Sequence, residues 1–285
     1  MNDILAHVRE YRGQVLNALK NSNRHYGSTL TDYTTPSREF NIKYYKWDHP
    51  YQGNWEYEEI FTDSILKYIK ETVKPDSVVL DIGAQAGLMS VLYAQFAKKV
   101  ISFEPNPAVF EVLNKNVEIY KNIIPYNLAC SREEGILEFH YSDEGFCNGG
   151  FATDCTRGIG VTGHVIPMDV YAVNLNEFIN KYHGYDIEKI SLIKIDAEGH
   201  DKEILKTIEE IINRARPIII TEMYAGLTAP EIVDLINTLR GYSYEIYDIT
   251  KNNSGLGILS NRRKINTAKD VTVGELCNFL CLPIK

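Results

Sequence analysis

The sequence predicts an α/β fold with a doubly wound, mostly parallel sheet. Three observations predict it. Short apolar runs recur after residue 76, most of them are followed by a stretch with helical apolar spacing, and acids and glycines collect where the runs end. Strand-helix alternation means a parallel sheet with helices on both faces, and ligands of such sheets sit beyond the carboxyl ends of the strands.

Residues 1–75 read as a helical N-terminal appendage. Ile4, Val8, Tyr11, Val15 and Leu19 recur at helical spacing. Residues 21–37 are polar and loop-like, and Phe40 to Tyr45 fits a strand. A second helix from Glu58 to Thr72 carries Phe61, Ile65, Tyr68 and Ile69 on one face and ends before Lys74-Pro75-Asp76.

Residues 76–260 form the core. SVVLDI (77–82) is apolar enough for a strand buried on both faces. Leu88, Val91, Leu92 and Phe96 share the face of the next helix. VISFE (100–104) follows, then Asn106-Pro107 as an N-cap with proline in the first helical position. IIPYNLA (123–129) is the third strand, ISLIKID (190–196) the fourth and PIIITEMY (217–224) the fifth. Helices with Ile204, Leu205, Ile208, Ile211 and Ile212, and with Ile232, Ile236 and Leu239, follow the last two. SYEIYDI (243–249) and LGILS (256–260) read as a closing hairpin, and 261–285 as a C-terminal tail. One region breaks the rhythm: 135–142 and 163–170 pair as antiparallel strands around a Gly-rich loop, 143–164, read as a substrate lid.

Composition excludes several classes. The chain has 285 residues, 44% of them apolar and 24% charged, with net charge −8. That is an ordinary globular composition, and the acidic balance argues against nucleic acid as a partner. The basic run Arg262-Arg263-Lys264 is read as a solvated patch. With no apolar stretch of about 20 residues and no signal-peptide pattern at the start, the expectation is a cytoplasmic protein without membrane contact. The five cysteines form no paired CxxC, so neither a zinc site nor a disulfide framework is expected. Tyr is enriched at 19, eight of them in the first 75 residues; these are read as core or interface packing, with stacking on sugars or a partner chain as the alternative, and residues 1–50 could serve a homodimer interface.

The strand ends carry the chemistry. The first closes in Asp81-Ile-Gly83-Ala84-Gln85-Ala-Gly87, a turn whose glycines let the backbone approach a ligand. The second closes in Glu104, 21 residues after Gly83, where an acid can accept both hydroxyls of a ribose. The D-x-G-x-x-x-G spacing differs from the dinucleotide pattern, and Gln85 occupies the middle glycine's place. A carboxylate beside the turn suits a sulfonium bearing an amino group, which favours S-adenosylmethionine over NAD. The fourth strand runs Lys194-Ile-Asp196-Ala-Glu198-Gly199-His200, with Lys194 and Asp196 on one face, and the fifth ends in Glu222. Burying charge is costly unless it is paired or functional. A structural ion pair of Lys194 with Glu222 or Glu198 is the competing explanation.

At these residues the sequence resembles the FkbM-type methyltransferases. VVLDIGAQAG, ISFEPNPAVFEVLNKN, YNLACSREEG, LIKIDAEGHDKEIL and PIIITEM carry the likeness, over about residues 53–250. NWEYE, with Glu56, resembles that family's segment before the first strand. The resemblance implies a class I, Rossmann-like fold of seven strands with the last antiparallel, binding S-adenosyl-L-methionine and methylating a hydroxyl. It makes Asp81, Gly83 and Glu104 cofactor residues, puts Asn127 near the adenine edge and Asp196 beside the transferring methyl. Gln85 stands where the family often has Asn, and Asn176 where an Asp is common.

The expected reaction is an O-methylation of a sugar, glycan or small metabolite. An alcohol needs a base or a metal to remove its proton. Asp196 is the first candidate, with Glu222, Glu198 and His200 behind it; an Asp196/Glu222 pair could also hold Mg²⁺. His140 and His164 flank the Gly-rich loop and are read as structural first. A non-catalytic adenosyl-binding module and a nicotinamide oxidoreductase are the alternatives from other classes.

Overall fold

A computed structural model describes residues 2–50, 62–142, 149–151, 165–250 and 262–284. The main sheet is built from β3 (Val78–Ile82), β4 (Lys99–Phe103), β5 (Ile123–Tyr126), β10 (Ile190–Ile195), β11 (Ile218–Met223), β12 (Tyr244–Asp248), β13 (Arg263–Ile265) and β14 (Cys277–Pro283). Their spatial order is β13-β12-β14-β11-β10-β3-β4-β5. The first core strand lies mid-sheet, with β4 on one side and β10 on the other, both parallel to it. The chain winds outward to β5 and then returns past β3, so the order reverses at β3, and that reversal opens the crevice where ligands bind. Every residue of β3 is buried. Its side chains alternate between two cores: Val78, Leu80 and Ile82 pack on one face, Val79 on the other.

This is the class I arrangement expected from the resemblance, with two differences. The antiparallel strand comes from the segment set aside as a tail. Cys277–Pro283 inserts between β11 and β12 and runs antiparallel to both. Phe279, Leu280 and Cys281 are buried there, so the sheet is completed by residues far beyond the helical repeat. The expected hairpin partner, 256–260, lies outside the described residues. The second difference is an eighth strand, the three-residue β13 at the edge, where Arg263 and Lys264 pair with Asp248 and Glu245 of β12.

The expected third strand, 123–129, divides in two. The chain leaves the main sheet after Tyr126 and resumes as β6 (Ala129–Ser131) in a second sheet of order β6-β9-β7-β8. Here β7 (Gly135–Ser142) and β9 (Val165–Asn174) form the expected antiparallel pair, and β8 (Gly150–Phe151) flanks β7. The lid expectation falls on residues outside those described, apart from Gly149–Phe151.

Helix α1 (Asn2–Asn21) is followed by a hairpin of β1 (Ser28–Thr34) and β2 (Asn41–Trp47) and by α2 (Asp63–Thr72). The appendage is therefore not wholly helical. β1 reads STLTDYT, half-exposed along its length, so no apolar run betrayed it. The core helices that matter for the site are α3 (Leu88–Ala94) and α4 (Pro107–Ile119), the latter capped by Asn106 with Pro107 in its first turn. Helices α5 (Leu175–His183), α6 (Asp201–Leu205), α7 (Glu209–Ala215) and α8 (Ala229–Gly241) complete the layers. α1 packs against α4 and β9, burying Leu16 and Leu19 with Trp47 and Phe139 in a third core. Among the described residues no helix is long and apolar enough to cross a membrane.

Candidate active site

The turn after β3 and the loop after β10 touch backbone to backbone. Gly83 adopts φ +73°, and a Cβ built on it would lie 1.8 Å from the Asp196 carbonyl oxygen. The Asp196 amide donates to the Ile82 carbonyl at 3.1 Å, which extends the β3–β10 pairing into the site. Gln85 (φ 51°) and Glu198 (φ 52°) occupy the same left-handed region, so both site loops turn sharply. Gly87 serves packing: a Cβ there would come within 2.6 Å of Leu113 on α4.

Glu104 directly follows β4 and is 6% exposed. Its Oε2 accepts from the Gln85 amide at 2.9 Å and its Oε1 from the Asn106 amide at 2.7 Å. Burial pushes its carboxyl up to about 7, with the two amides and Lys194 opposing and Asp81 assisting. Asn127 donates both amide protons behind it, to the carbonyls of Glu104 (2.8 Å) and Pro105 (2.9 Å). Ala84 is buried, with its amide on the Phe103 carbonyl.

Lys194 is the hub beneath the site. Its Nζ donates to the Gly83 carbonyl at 2.8 Å and lies 3.6 Å from Asp81 Oδ1 and 3.4 Å from Asp196 Oδ2. Burial pulls its pKa down, but Asp196 and Asp81 outweigh that and hold it above the ordinary value. The ion pairs considered from sequence, with Glu222 or Glu198, give way to pairs with Asp81 and Asp196. Asp81 itself is fully buried; Ser90 donates to its Oδ2 at 2.5 Å and Ser90 meets Ser102 at 2.8 Å. Burial raises the Asp81 carboxyl, offset in part by Lys194 and Ser90. Asp81 is thus a foundation under the turn, with Lys194 as its counter-charge. Replacing Lys194 by Met leaves Asp81 Oδ1 buried without its cation; breaking such a pair costs roughly 3–5 kcal/mol. Urea unfolding of Lys194→Met should show a loss of that order, and a change under about 1 kcal/mol, the range of an exposed pair, would refute this reading.

The Asp196 side chain is 42% exposed and stands at the mouth, while Glu222 on β11 is 8% exposed. Glu222 Oε2 is buried with no hydrogen-bond partner among the described residues. Burial, with Asp196, Glu198 and Asp201 nearby, pushes the Glu222 carboxyl well above the carboxylate range. So the two carboxyls expected to act as a pair differ: Asp196 is open to the mouth and Glu222 is buried, with its acidity weakened by that burial. Asp201, in the first turn of α6, escaped the sequence reading. It accepts from the amides of Ala197 (3.0 Å) and Glu222 (2.9 Å) and from the Thr221 hydroxyl (2.9 Å), tying the Asp196 loop to the end of β11. An acid in the first turn after a Gly was its only signal. Ser90 and Ser102, lone hydroxyls in apolar elements, were equally legible and equally missed.

His200 turns to the second sheet instead, with Nε2 at 2.9 Å from Ser131 Oγ and its ring 4.4 Å from that of Phe151. His140 pairs with Glu138 on β7; His164 lies outside the described residues, as does Glu56. Among the described residues no three His, Cys, Asp or Glu side chains are grouped to hold a metal ion.

A family profile described as Methyltransferase FkbM domain matches residues 81–246, more than half of the chain. A hexuronic acid methyltransferase, AglP, of Haloferax volcanii is 23% identical over 201 residues, covering 70% of this chain and 76% of that protein. The 31-O-demethyl-FK506 methyltransferase FkbM of Streptomyces tacrolimicus is 27% identical over 180 residues, covering 54% and 68%. A solved FkbM methyltransferase of Methylobacillus flagellatus superposes with a TM-score of 0.45 at 14% identity, covering 75% of this chain; this chain spans 50% of that one.

Proposed function

The chain belongs to the FkbM methyltransferase family, and from that premise we propose that it methylates a hydroxyl of a sugar, glycan or small metabolite with S-adenosyl-L-methionine. One observation carries the reading: the Gly83 turn, Glu104 and Asp196 form one continuous rim over β4, β3 and β10. The cofactor's ribose belongs at Glu104. Both carboxylate oxygens there are held by amides and keep further lone pairs for the two hydroxyls. Gly83, Ala84, Gln85 and Gly87 form the turn beneath it, and Asn127 stands at its purine side.

When bound, the cofactor supplies an electrophilic methyl on a sulfonium. The protein's part is alignment and proton removal. Asp196 is the group we assign to the acceptor hydroxyl's proton, because its carboxylate is open at the mouth and held beside the Gly83 turn by Lys194. Lys194 is a positioning residue: it clamps the Asp196 carboxylate to the Gly83 carbonyl and thereby sets the base against the turn. Glu222, buried with Oε2 unpartnered among the described residues and its carboxyl pushed up by burial, is assigned to holding the acceptor oxygen. Sugar as acceptor rests on the relative that methylates a hexuronic acid.

The test has two arms. Calorimetry with S-adenosylhomocysteine should show affinity falling as pH drops through about 7. Hydroxyls donate to the ionised Glu104, so binding must expel its proton, at about tenfold per pH unit. Labelled methyl transfer to a panel of uronic acids, neutral sugars and glycan fragments, with and without chelator, should then identify the acceptor. No binding of S-adenosylhomocysteine at any pH overturns the proposal.

A further inference from the structure

The basic run Arg262-Arg263-Lys264 divides in the structure. Arg263 pairs with Asp248 at 3.0 Å, and Lys264 pairs with Glu245. Arg262 is exposed and has no carboxylate within ion-pair reach among the described residues; its guanidinium lies over the Tyr247 ring at 4.3 Å. We propose that Arg262 and Tyr247 form an outer acceptor subsite for the carboxylate of an acidic sugar, one unit away from the sugar that is methylated. The inference rests on the proposed reading of a sugar hydroxyl as the acceptor.

Position argues for it first. Ile195 pairs with Thr221, Glu222 with Asn278, and Asp248 with both Phe279 and Arg263. Continuing these registers by one residue places Asp196, Glu222, Asn278, Ile249 and Arg262 in one row across the carboxyl edge. Directly opposed residues share a face of the sheet. Ile220, Leu280 and Ile249 belong to one core on that face, and Tyr247 packs against it. Arg262 thus stands on the face that carries Asp196 and Glu222. Its head folds back over Tyr247 on β12, two strands from Glu222, which is about 10 Å. That exceeds one sugar ring and calls for an acceptor of at least two units.

Chemistry argues next. Stacking engages the face of the guanidinium, while its N–H donors lie in the plane, so the fork stays open to a carboxylate. Tyr247 is itself anchored, its hydroxyl donating to Glu245 Oε2 at 2.7 Å. Tyr68 on α2 faces the same guanidinium: burial raises its hydroxyl, and Arg262 is among the groups that oppose this. Aromatic rings suit the C–H faces of sugars. Asn278, half-buried between Glu222 and Arg262, offers an amide to hydroxyls along the row. The reacting centre gathers Asp196, Glu198, Asp201 and Glu222. Like charges set side by side are costly, so an acidic unit is turned away from that centre and toward Arg262.

The experiment is methyl-transfer kinetics on the full chain with disaccharides of glucuronic and galacturonic acid and with their carboxyl-reduced, neutral counterparts. Wild type should prefer the acidic member of a pair. Arg262→Gln should raise KM for it roughly tenfold, the weight of a charge-assisted hydrogen bond, with kcat within a few-fold. Arg262→Lys, which keeps the charge and loses the flat fork, should recover only part. Lys264→Gln removes a neighbouring cation already engaged by Glu245 and should match wild type. Salt should raise the wild-type KM for the acidic disaccharide more than for the neutral one, a readout that needs no variant. If the neutral disaccharides serve as well as the acidic ones, or Arg262→Gln keeps the wild-type KM, the inference falls while the methyltransferase reading stands. An equal loss in Lys264→Gln would show a diffuse field instead of a subsite and would also overturn it. If no sugar of any kind is methylated, the sugar reading falls and takes the inference with it.

Discussion

Gly83→Ala should be the most damaging single-methyl change in the protein. The new Cβ would lie 1.8 Å from the Asp196 carbonyl oxygen and 2.9 Å from its carbon, at a φ of +73°. The conformational term alone is about 1–2 kcal/mol for a non-glycine residue. The contact is with backbone, so no rotamer change relieves it; either the turn or the Asp196 loop must move. Moving the turn breaks the 2.8 Å bond from Lys194 to the Gly83 carbonyl, and moving the loop breaks the Asp196–Ile82 bond. We expect a loss on the order of 4 kcal/mol, which for a domain of this size lowers Tm by about 10 °C. Binding of S-adenosylhomocysteine should be lost with it. Gly184→Ala is the control, since its Cβ meets nothing within 4 Å. A Gly83→Ala protein that melts and binds like wild type would show that the two site loops are not in contact.

Asp196→Asn should leave cofactor binding within a few-fold of wild type and reduce turnover by roughly 10²–10⁴, the range of a lost general base. Asn keeps the shape but cannot take the proton. The fold should survive, because Asp81 remains to pair with Lys194. Glu222→Gln makes the sharper contrast. Burial, with Asp196, Glu198 and Asp201 nearby, pushes the Glu222 carboxyl up, so a neutral amide is the substitution its surroundings accept most readily. Its turnover should fall far less than that of Asp196→Asn. Labelled methyl transfer to the acceptor found by screening measures both. Equal losses would make Glu222 a partner in proton removal, and undiminished turnover in Asp196→Asn would remove the base assignment.

The residues of the site divide by how they signal themselves. Asp81, Gly83, Glu104, Lys194 and Asp196 announce themselves as polar or glycine interruptions at the ends of apolar runs. Buried strands admit such residues only for a reason. Asp201 gives no comparable signal, because acids are common in first helical turns and only its three hydrogen bonds reveal its task. Lys194 was visible as a buried charge, but its partners were not: Asp81 lies 113 positions away and Asp196 two, and only strand adjacency distinguishes them from Glu198 or Glu222. His200, promising by its place after Gly199, rotates to Ser131 and Phe151 because the second sheet closes over α6.

The central strands β3, β4, β10, β11 and β12 with the helices between them, the residues at their ends and the family were legible in the linear pattern, because local periodicity and end-of-strand chemistry are near-neighbour properties. The partners of each charge, the insertion of Cys277–Pro283 between β11 and β12, the polar strand Ser28–Thr34 and the docking of α1 beside Pro105 and Asn127 were decided by the tertiary structure. Each depends on which distant segments share a surface. A strand whose apolar content is modest, or a helix whose apolar face fits several partners, acquires its role only when the rest of the sheet is in place to receive it.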